Sequence, residues 1–375
     1  MNRPAKRCAC RAVGLAKAGL FTEPKTSASQ NERVNHAHIR RHTRPRLYYS
    51  VAKNVPRNHH YICEFLLKNF ADDDGTLWIY DSELRKCRDG NTRSAGFERD
   101  LYALTLVGKG RDFAALEKAL EQQIDSPGAV AIRRLLNHEQ CSGPEWMNFL
   151  GFVAAQLLRT PAFFDRLTAV QAPVMQEMLE RMANFDPKFR EGVRKSMMKR
   201  GATSAEVERQ LQAAGSGRYK ARPNRDWIVA NAVRLIPVIH SELEAMHWTF
   251  LDVPDGGPDL LISDCPVMLT DPSADDRNPK PLGLKNPNIE LAMPLSRRMV
   301  AVARREGPNS FGKLVDGSAE IVNLRTLSYA RRFVFASYRS NQLLATATRL
   351  CGSGPKVHFR KIRMGKGLAM ISEYR

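Results

Sequence analysis

The sequence predicts an α+β fold, because its helical and extended patterns occupy different parts of the chain. Apolar residues recur at helical spacing almost without interruption from Arg111 to about Met246. From Trp248 to Ala303 the pattern changes to short apolar runs separated by Gly, Pro and Asp, which is typical of strands. The length of 375 residues allows one large domain or two ordinary ones.

The first predicted element is a helix followed by a hairpin, within residues 58–81. Apolar residues between Tyr61 and Phe70 recur every three or four positions, which places them on one side of a short helix. The acidic tetrapeptide Asp72–Gly75 predicts a turn, and Thr76–Tyr80 alternates as a strand does.

The large central region is predicted to be helical. Proline is tolerated in a first helical turn, so Pro161 is expected to begin a helix. Thr203 and Glu206 have the spacing of a capping box. The predicted helices are Asp112–Asn137, Glu145–Arg159, one beginning at Pro161, one with the i, i+4 stripe Phe185, Phe189, Val193 and Met197, one from Thr203 to Gly215, and Asp226–Met246.

The C-terminal part is predicted to form a smaller antiparallel sheet with closing helices. The predicted strands are Trp248–Val253, Leu260–Leu269, Ile289–Leu295 and Met299–Ala303. Helices are predicted at Asn323–Ser337 and Asn341–Leu350, and residues 341–375 are expected to be a C-terminal helix and a basic tail.

Positive charge is concentrated in two segments of the chain. Residues 1–57 contain 13 Lys/Arg and 2 Asp/Glu, and residues 181–225 contain 12 Lys/Arg and 4 Asp/Glu. These two segments account for the whole net charge of +19, so the rest of the chain is neutral overall. Residues 1–57 are predicted to be a basic, disordered arm. Upstream sequence behind a misplaced start site and an organellar transit peptide remain alternative interpretations.

Composition argues against several classes of protein. The seven cysteines are scattered and never spaced as C-x-x-C, which favours reduced thiols in a cytoplasmic protein over a disulfide framework or a zinc knuckle. No apolar stretch approaches 18 residues, so no membrane span is predicted. Nucleotide and zinc-protease motifs are absent, so no cofactor or metal is predicted. The spacing of His36, His38 and His42 in the arm is only a weak metal-binding pattern.

Four short motifs occur in the order found in a known family. They are His60–Phe70 (HYICEFLLKNF) with its acidic turn and LWIYD, Arg159-Thr160-Pro161, Trp248 with Leu261–Pro266 (LISDCP), and Met293–Ser296 (MPLS) followed by Asn323 and residues 330–334 (ARRFV), read as a helix. This ordered set resembles the bacterial family catalogued as domain of unknown function 4238, over about residues 58–340. Cys63 stands where that family usually has proline. The resemblance implies a single α+β domain over 58–340 but no mechanism, because the activity of the family is not established.

Four residues are candidates for a polar site. His60 is a candidate general base because imidazole titrates near neutral pH, although a hydrogen bond at a helix start would explain it as well. Asp264 and Ser263 lie at the end of an apolar strand, where a cleft or an Asx-type turn is expected. Arg159 is a candidate for binding an anion, for complementing a helix C-terminus, or for pairing with a carboxylate such as Asp264 or Glu145.

A second set of candidates lies on one predicted helix of the basic segment. Lys188, Arg194, Lys195 and Lys199 are opposite its apolar stripe, so this face is a candidate surface for nucleic acid or another anionic ligand. A solvated helix face is the alternative. Lys195 and Lys199 are the two candidate binding residues on this face.

Three functional hypotheses follow from the sequence. The favoured one is a non-enzymatic binding or effector protein that recognises nucleic acid or another protein, because no catalytic set is visible. The first alternative is a hydrolase-like enzyme with a polar pocket around His60, Arg159 and Asp264. The second alternative is a structural scaffold in which these motifs only stabilise the fold.

Overall fold

The computed structural model describes residues 57–106, 110–273, 282–355, 357–364 and 367–374, the last two ranges as backbone. The chain divides into two compact units. Residues 171–224 are called the helical unit, and the described residues of 57–170 and 225–374 are called the body. Of the predicted basic arm, all residues except Arg57 lie outside the described part of the chain.

The N-terminal part of the body contains the predicted helix and hairpin. The acidic turn is closed by the Asp72 carboxylate, which accepts hydrogen bonds from the backbone N–H of Asp74 (3.1 Å) and Thr76 (2.7 Å), and Gly75 adopts a positive φ of 81°. The elements are β1 (Asn58–His60), α1 (Glu64–Lys68), β2 (Leu77–Asp81), β3 (Lys86–Gly90), β4 (Phe97–Arg99), β5 (Leu104–Leu106) and β6 (Gly110–Asp112).

Four helices follow, and they agree with the predicted helical region. They are α2 (Ala115–Leu120), α3 (Ser126–Leu136), α4 (Gly143–Leu158) and α5 (Pro161–Phe185). A π-helical turn, Glu121–Asp125, joins α2 to α3, and Pro127 lies in the first turn of α3, where proline is tolerated. Gly128 of α3 packs tightly on α4, because a Cβ at Gly128 would lie 2.7 Å from the Cβ of Phe152.

The helical unit consists of the second half of α5 and two further helices, α6 (Pro187–Met198) and α7 (Ser204–Gly215). The predicted capping box of Thr203 and Glu206 is present at the start of α7. The predicted apolar stripe is interrupted, because Asp186 ends α5 and caps α6, and Phe185 is 80% exposed. The prediction of one continuous stripe was therefore wrong at Phe185. Phe185 ends α5, whereas the other stripe residues lie in α6, so its side chain does not share their helix face.

The C-terminal part of the body contains a five-stranded sheet. In spatial order its strands are β12 (Ser310–Lys313), β7 (His247–Asp252), β11 (Met299–Arg304), β10 (Glu290–Ser296) and β9 (Met268–Thr270). Its pairs are antiparallel except for the edge pair β12–β7, which is parallel. Trp248 of this sheet is fully buried and contacts Phe149 of α4 edge-to-face, with ring centroids 5.0 Å apart. The elements are α8 (Arg225–Glu244), β7 (His247–Asp252), β8 (Ile262–Ser263), β9 (Met268–Thr270), β10 (Glu290–Ser296), β11 (Met299–Arg304) and β12 (Ser310–Lys313).

A second sheet has the order β3-β2-β13-β8, in which β13 is Phe333–Ala336, so it pairs β2 near the start of the body with a strand about 250 residues later. After β12 the chain forms α9 (Ser318–Tyr329), β13 (Phe333–Ala336), α10 (Asn341–Leu350) and the hairpin β14 (Val357–Met364) and β15 (Gly367–Tyr374). The predicted α10 is present, and the expected basic tail is paired as two strands.

The prediction of one helix over Asn323–Ser337 was wrong, because the helix ends at Tyr329 and residues 333–336 form β13. Two physical causes act here. The run FVFA has the aromatic and β-branched residues that favour strands. In addition, the Asp264 carboxylate accepts hydrogen bonds from the backbone N–H groups of residues 331–333, which are the donors that a longer helix would need.

Among the described residues, no helix is both long enough and apolar enough to cross a membrane.

Candidate functional site

Arg159 lies at the C-terminal end of α4 and is almost entirely buried, with 3% of its surface exposed. Its Nη1 donates to Asp125 Oδ1 at 2.7 Å, Nη2 donates to Cys63 Sγ at 2.6 Å, and Nε donates to the Tyr61 carbonyl at 3.2 Å. The Gln156 amide, oriented by its hydrogen bonds, accepts from Nε at 3.1 Å. Each of the three guanidinium nitrogens therefore has at least one hydrogen-bond partner within the body.

The electrostatics of this cluster keep Arg159 charged. Burial is the largest single influence on the pKa of Arg159 and lowers it, but Asp125, Cys63 and Tyr102 together raise it by more, so the net pKa lies above its usual value. Burial raises the pKa of the Cys63 thiol well above its usual value, so this sulfur is a neutral thiol.

Arg159 was expected to pair with a carboxylate such as Asp264 or Glu145, and this prediction was wrong. Asp125, at the end of the π-helical turn, is the carboxylate that pairs with it. Glu145 instead completes a capping box at the start of α4 by accepting from the Ser142 backbone N–H at 2.8 Å.

His60 and its neighbour His59 lie in β1, so they point to opposite sides of the strand. His59 is fully buried, and its Nδ1 accepts from the Tyr102 backbone N–H at 2.8 Å. His60 is partly buried, its backbone N–H donates to Glu117 Oε1 at 2.9 Å, and its ring contacts Phe97 edge-on. Burial lowers the pKa of His60 and raises that of Glu117 to about 7.

Asp264 is 3% exposed and anchors the start of β13. Its two carboxylate oxygens accept from the backbone N–H groups of Arg331 (2.7 Å), Arg332 (2.8 Å) and Phe333 (2.9 Å). Burial raises the pKa of Asp264 to about 6, although these three N–H groups lower it. The neighbouring Ser263 is fully buried, and among the described residues its hydroxyl bonds only to the backbone of Cys265, donating to the carbonyl at 3.1 Å.

A cavity of about 170 Å³ lies beside Asp264. This volume is below the range of about 300–1,000 Å³ that is typical of small-molecule sites. Its two cationic side chains are already paired, Arg331 with Asp165 at 2.7 Å and Arg332 with Asp81 at 2.6 Å. The residues that line it are Tyr61, Phe97, Glu98, Pro161, Asp264, Arg331, Arg332 and Phe333.

The three residues proposed to converge, His60, Arg159 and Asp264, each use a different set of partners. Asp264 lines the cavity, whereas His60 and Arg159 are not among the residues that line it. Tyr61 connects two of them, because its carbonyl accepts from Arg159 while its side chain lines the cavity beside Asp264. Within the described residues, no hydrogen bond joins any two of the three, although catalytic partners act within hydrogen-bond reach.

The helical unit contains the candidate basic surface. Lys195 is 77% exposed and lies 3.6 Å from Glu191, whereas Lys199 is exposed without a carboxylate at ion-pair distance among the described residues. Arg190 and Arg194 are occupied by Glu208, at 2.9 and 2.5 Å. The other exposed cations of the unit that form no ion pair with a described residue are Lys188, Arg200, Arg209, Arg218, Lys220 and Arg222.

The described residues contain no group of three or more His, Cys, Asp or Glu side chains that could hold a metal ion. The histidine pattern at His36, His38 and His42 lies outside those residues. The cysteines in the described part of the chain are free thiols.

One family matches this chain, over residues 58–340, and its description is "Protein of unknown function (DUF4238)". The chain belongs to the DUF4238 family. The match begins at β1 and ends just before α10, so it includes both sheets and the helical unit. The resemblance read from the sequence motifs is thereby confirmed. No curated protein and no solved structure matches the chain.

Two polar residues of this DUF4238 protein were missed in the sequence. Asp125 and Glu117 carry no motif, and both lie in a segment read only as an amphipathic helix. In the folded chain Glu117 accepts from the His60 backbone N–H, and Asp125 pairs with Arg159, which also donates to the Tyr61 carbonyl. These contacts join residues far apart in the sequence, so no sequence pattern indicates them. The Ser126-Pro127 pair was the one sequence signal of irregular backbone beside Asp125, and π-helical turns are frequent at functional sites.

Proposed function

We propose that this DUF4238 protein binds nucleic acid through the exposed cations of its helical unit. One observation carries the proposal: the unit exposes several Lys and Arg side chains that have no acidic partner within the described residues. Because such charges are fully available to phosphates, they release counterions when they bind a polyanion.

The acidic side chains of the helical unit support the proposal, because they are engaged within the unit. Asp186 and Glu206 cap α6 and α7, and Glu177 accepts from Arg181 at 2.8 Å. Glu180 accepts from Gln176 at 2.8 Å, and Glu191 and Glu208 pair with Arg194. The unpaired cations therefore dominate the field around the unit.

The hydrolase-like alternative has less support. Every guanidinium nitrogen of Arg159 has a partner within the body, and Asp264 is bound by three backbone N–H groups. Among the described residues, His60 forms no hydrogen bond to either of them. This arrangement favours a structural role for each of the three. A cytoplasmic location in a bacterial cell is part of the proposal, and the free thiols of the described cysteines are consistent with it.

Fluorescence anisotropy with the full-length chain tests the proposal. Labelled 20-nucleotide single strands and the matching duplex are titrated at several salt concentrations, and the logarithm of the binding constant is expected to fall linearly with the logarithm of salt. In the triple variant Lys188→Ala/Lys199→Ala/Arg209→Ala, the slope is expected to become shallower by about 2–3, since each of the three lost phosphate contacts removes about 0.7–0.9.

The matched control removes three exposed cations of the body, in the variant Lys86→Ala/Arg88→Ala/Lys313→Ala. Residues 1–57 are present in all three proteins, so their contribution cancels in the comparison. Failure of the unmodified chain to bind nucleic acid, or equal losses in both triple variants, would overturn the proposal.

A further inference from the structure

The cavity beside Asp264 has a buried floor and a partly exposed rim. Tyr61 and Asp264 are each 3% exposed, whereas the side chains of Glu98 and Arg331 are 42% and 45% exposed. The volume of about 170 Å³ corresponds to about five or six water molecules at about 30 Å³ each. A ligand in this cavity is therefore a molecule of a few non-hydrogen atoms, or the end of a longer side chain.

The Tyr61 hydroxyl is available to such a ligand. It forms no hydrogen bond with any described residue, although the O–H of a buried tyrosine usually has a partner. The Tyr61 backbone is fixed, because its N–H donates to the Gly96 carbonyl at 2.9 Å and its carbonyl accepts from Arg159. Burial raises the pKa of Tyr61 well above its usual value, and the nearby Asp264 carboxylate raises it further, so the hydroxyl stays protonated.

Two carboxylates beside the cavity retain unused acceptor sites. An ionised carboxylate offers about four lone-pair sites, and Asp264 uses three of them for the backbone N–H groups at the start of β13. Glu98 Oε1 accepts from Arg225 at 3.4 Å, and Glu98 Oε2 accepts from no described residue. Asp264 therefore keeps its structural role and can still accept one further hydrogen bond.

The charges around the cavity favour a cationic ligand. The two arginines that line it already pair with carboxylates that do not line it, Arg331 with Asp165 and Arg332 with Asp81. The three N–H groups do not fully offset the burial of Asp264, because its pKa is raised to about 6. A cation would supply the missing compensation, whereas an anion would add a second buried negative charge.

We propose that this cavity binds a primary ammonium group, which donates its three N–H bonds to the Tyr61 hydroxyl, the Asp264 carboxylate and Glu98. Three donors on one nitrogen match three unused acceptors. Phe97 and Pro161 supply an apolar wall for the carbon chain next to the ammonium group. The ammonium group belongs either to a small free amine or to the lysine side chain of another molecule, and the experiment separates these sources. The inference is independent of nucleic-acid binding by the helical unit, because the residues of this site lie in the body.

Isothermal titration calorimetry with the full-length chain tests the proposal. The probe is n-butylammonium, which is small enough for the cavity, and a Kd on the order of 1 mM is expected at about pH 7. Butyrate and 1-butanol carry a similar carbon chain with an anionic and a neutral head. Both are expected to bind roughly 10-fold more weakly or worse, because neither brings a cation to the carboxylates. An acetylated and amidated tripeptide with lysine at its centre is the second probe. Tighter binding of the tripeptide assigns the site to a lysine side chain, and tighter binding of n-butylammonium assigns it to a free amine.

Two single substitutions test the acceptors. Tyr61→Phe removes a hydroxyl that bonds to no described residue, so affinity for n-butylammonium is expected to fall about 10-fold without a lower melting temperature. Tyr338→Phe is the control, because Tyr338 does not line the cavity. Glu98→Gln is also expected to weaken binding, with Glu139→Gln as its matched control. Glu98 and Glu139 each lie 3.4 Å from an arginine and have side chains that are 42% and 48% exposed.

The dependence of binding on pH tests Asp264, which is left unchanged because it anchors β13. The Asp264 carboxylate takes up a proton between about pH 7 and about pH 5, so affinity is expected to fall roughly 10-fold over this interval. The Tyr61 hydroxyl and the nearby thiols stay neutral, because burial raises their pKa values. Glu98→Gln should retain the pH dependence, which separates Asp264 from Glu98. The other titratable or charged groups around Asp264 are Tyr61, Glu98, Cys265, Arg331, Arg332 and Cys351.

Four results would overturn the inference. The first is no binding of n-butylammonium or of the tripeptide up to about 20 mM, well above the expected Kd. The second is binding of butyrate or 1-butanol as tight as that of n-butylammonium. The third is an equal loss of affinity in Tyr61→Phe and Tyr338→Phe. The fourth is an affinity that rises on acidification, since a cation must prefer the ionised form of Asp264.

Discussion

Asp125 Oδ1 lies 2.7 Å from Nη1 of Arg159, and this ion pair fastens the π-helical turn to the end of α4. Arg159 is 3% exposed, so the pair is held away from bulk water. Removing one member of a buried pair leaves an uncompensated charge in a medium of low polarity. The ion pair between Asp125 and Arg159 is therefore expected to stabilise the body.

Asp125→Ala is expected to lower the free energy of unfolding by about 3–5 kcal/mol, the range for a buried ion pair that loses one partner. Urea denaturation followed by circular dichroism measures the change. Asp165→Ala is the control, because it removes the partner of Arg331, which is 45% exposed. Its loss should stay within about 1 kcal/mol. Similar losses in the two variants would contradict the structural role of the pair.

Two glycines in helices are expected to respond to alanine in opposite directions. Gly128→Ala places a Cβ 2.7 Å from the Cβ of Phe152, so α3 and α4 must separate and the melting temperature should fall. Gly192→Ala in α6 meets no atom within 4 Å, and the higher helix propensity of alanine should stabilise the helical unit by about 0.5–1 kcal/mol. Calorimetry measures both. A stabilised Gly128→Ala protein would contradict the close packing.

Asp264 is expected to make stability fall as pH rises from about 4 to about 6. Burial raises its pKa in the folded chain to about 6 from the ordinary value of 3.8, so between these values the folded state retains a proton that the unfolded state has lost. The difference corresponds to about 3 kcal/mol. Asp264→Asn should remove this part of the pH dependence in urea denaturation, whereas Ser263→Ala should retain it. An unchanged profile in Asp264→Asn would show that folding does not shift the pKa of Asp264.

Lys199 is expected to contribute more to nucleic-acid binding than Lys195. Lys195 Nζ lies 3.6 Å from Glu191 Oε1, whereas Lys199 has no carboxylate at ion-pair distance among the described residues. Lys199→Ala should therefore make the salt slope of binding shallower by about 0.7–0.9, and Lys195→Ala by less. Anisotropy titrations at several salt concentrations compare them. Equal slopes in the two variants would argue against any role for local pairing.

Much of the secondary structure could be predicted because it depends on local patterns. The acidic turn at Asp72, the capping box at Thr203 and α10 all follow from short sequence signals that act on neighbouring backbone groups. The helix predicted across residues 330–337 failed for a non-local reason. The backbone N–H groups of residues 331–333 donate to the Asp264 carboxylate, which lies about 70 residues earlier in the chain. A pattern of neighbouring residues cannot indicate such a contact.

The candidate site was predicted less well than the fold. Arg159 and Asp264 were found because they stand in short motifs, but their partners were not. Asp125 is separated from Arg159 by 34 residues, and it becomes a partner only because the π-helical turn packs beside α4.

The position of β13 between β2 and β8 affects how the protein is made. Arg332, just before β13, pairs with Asp81 of β2 across 251 residues, so most of the chain must be synthesised before β2 gains its second neighbour. At ordinary translation rates of about 5–20 residues per second, this interval lasts tens of seconds. During that time the β2–β3 hairpin has an open edge, and an open edge can pair with another chain. A nascent DUF4238 chain is therefore expected to need shielding near the ribosome until residue 336 emerges.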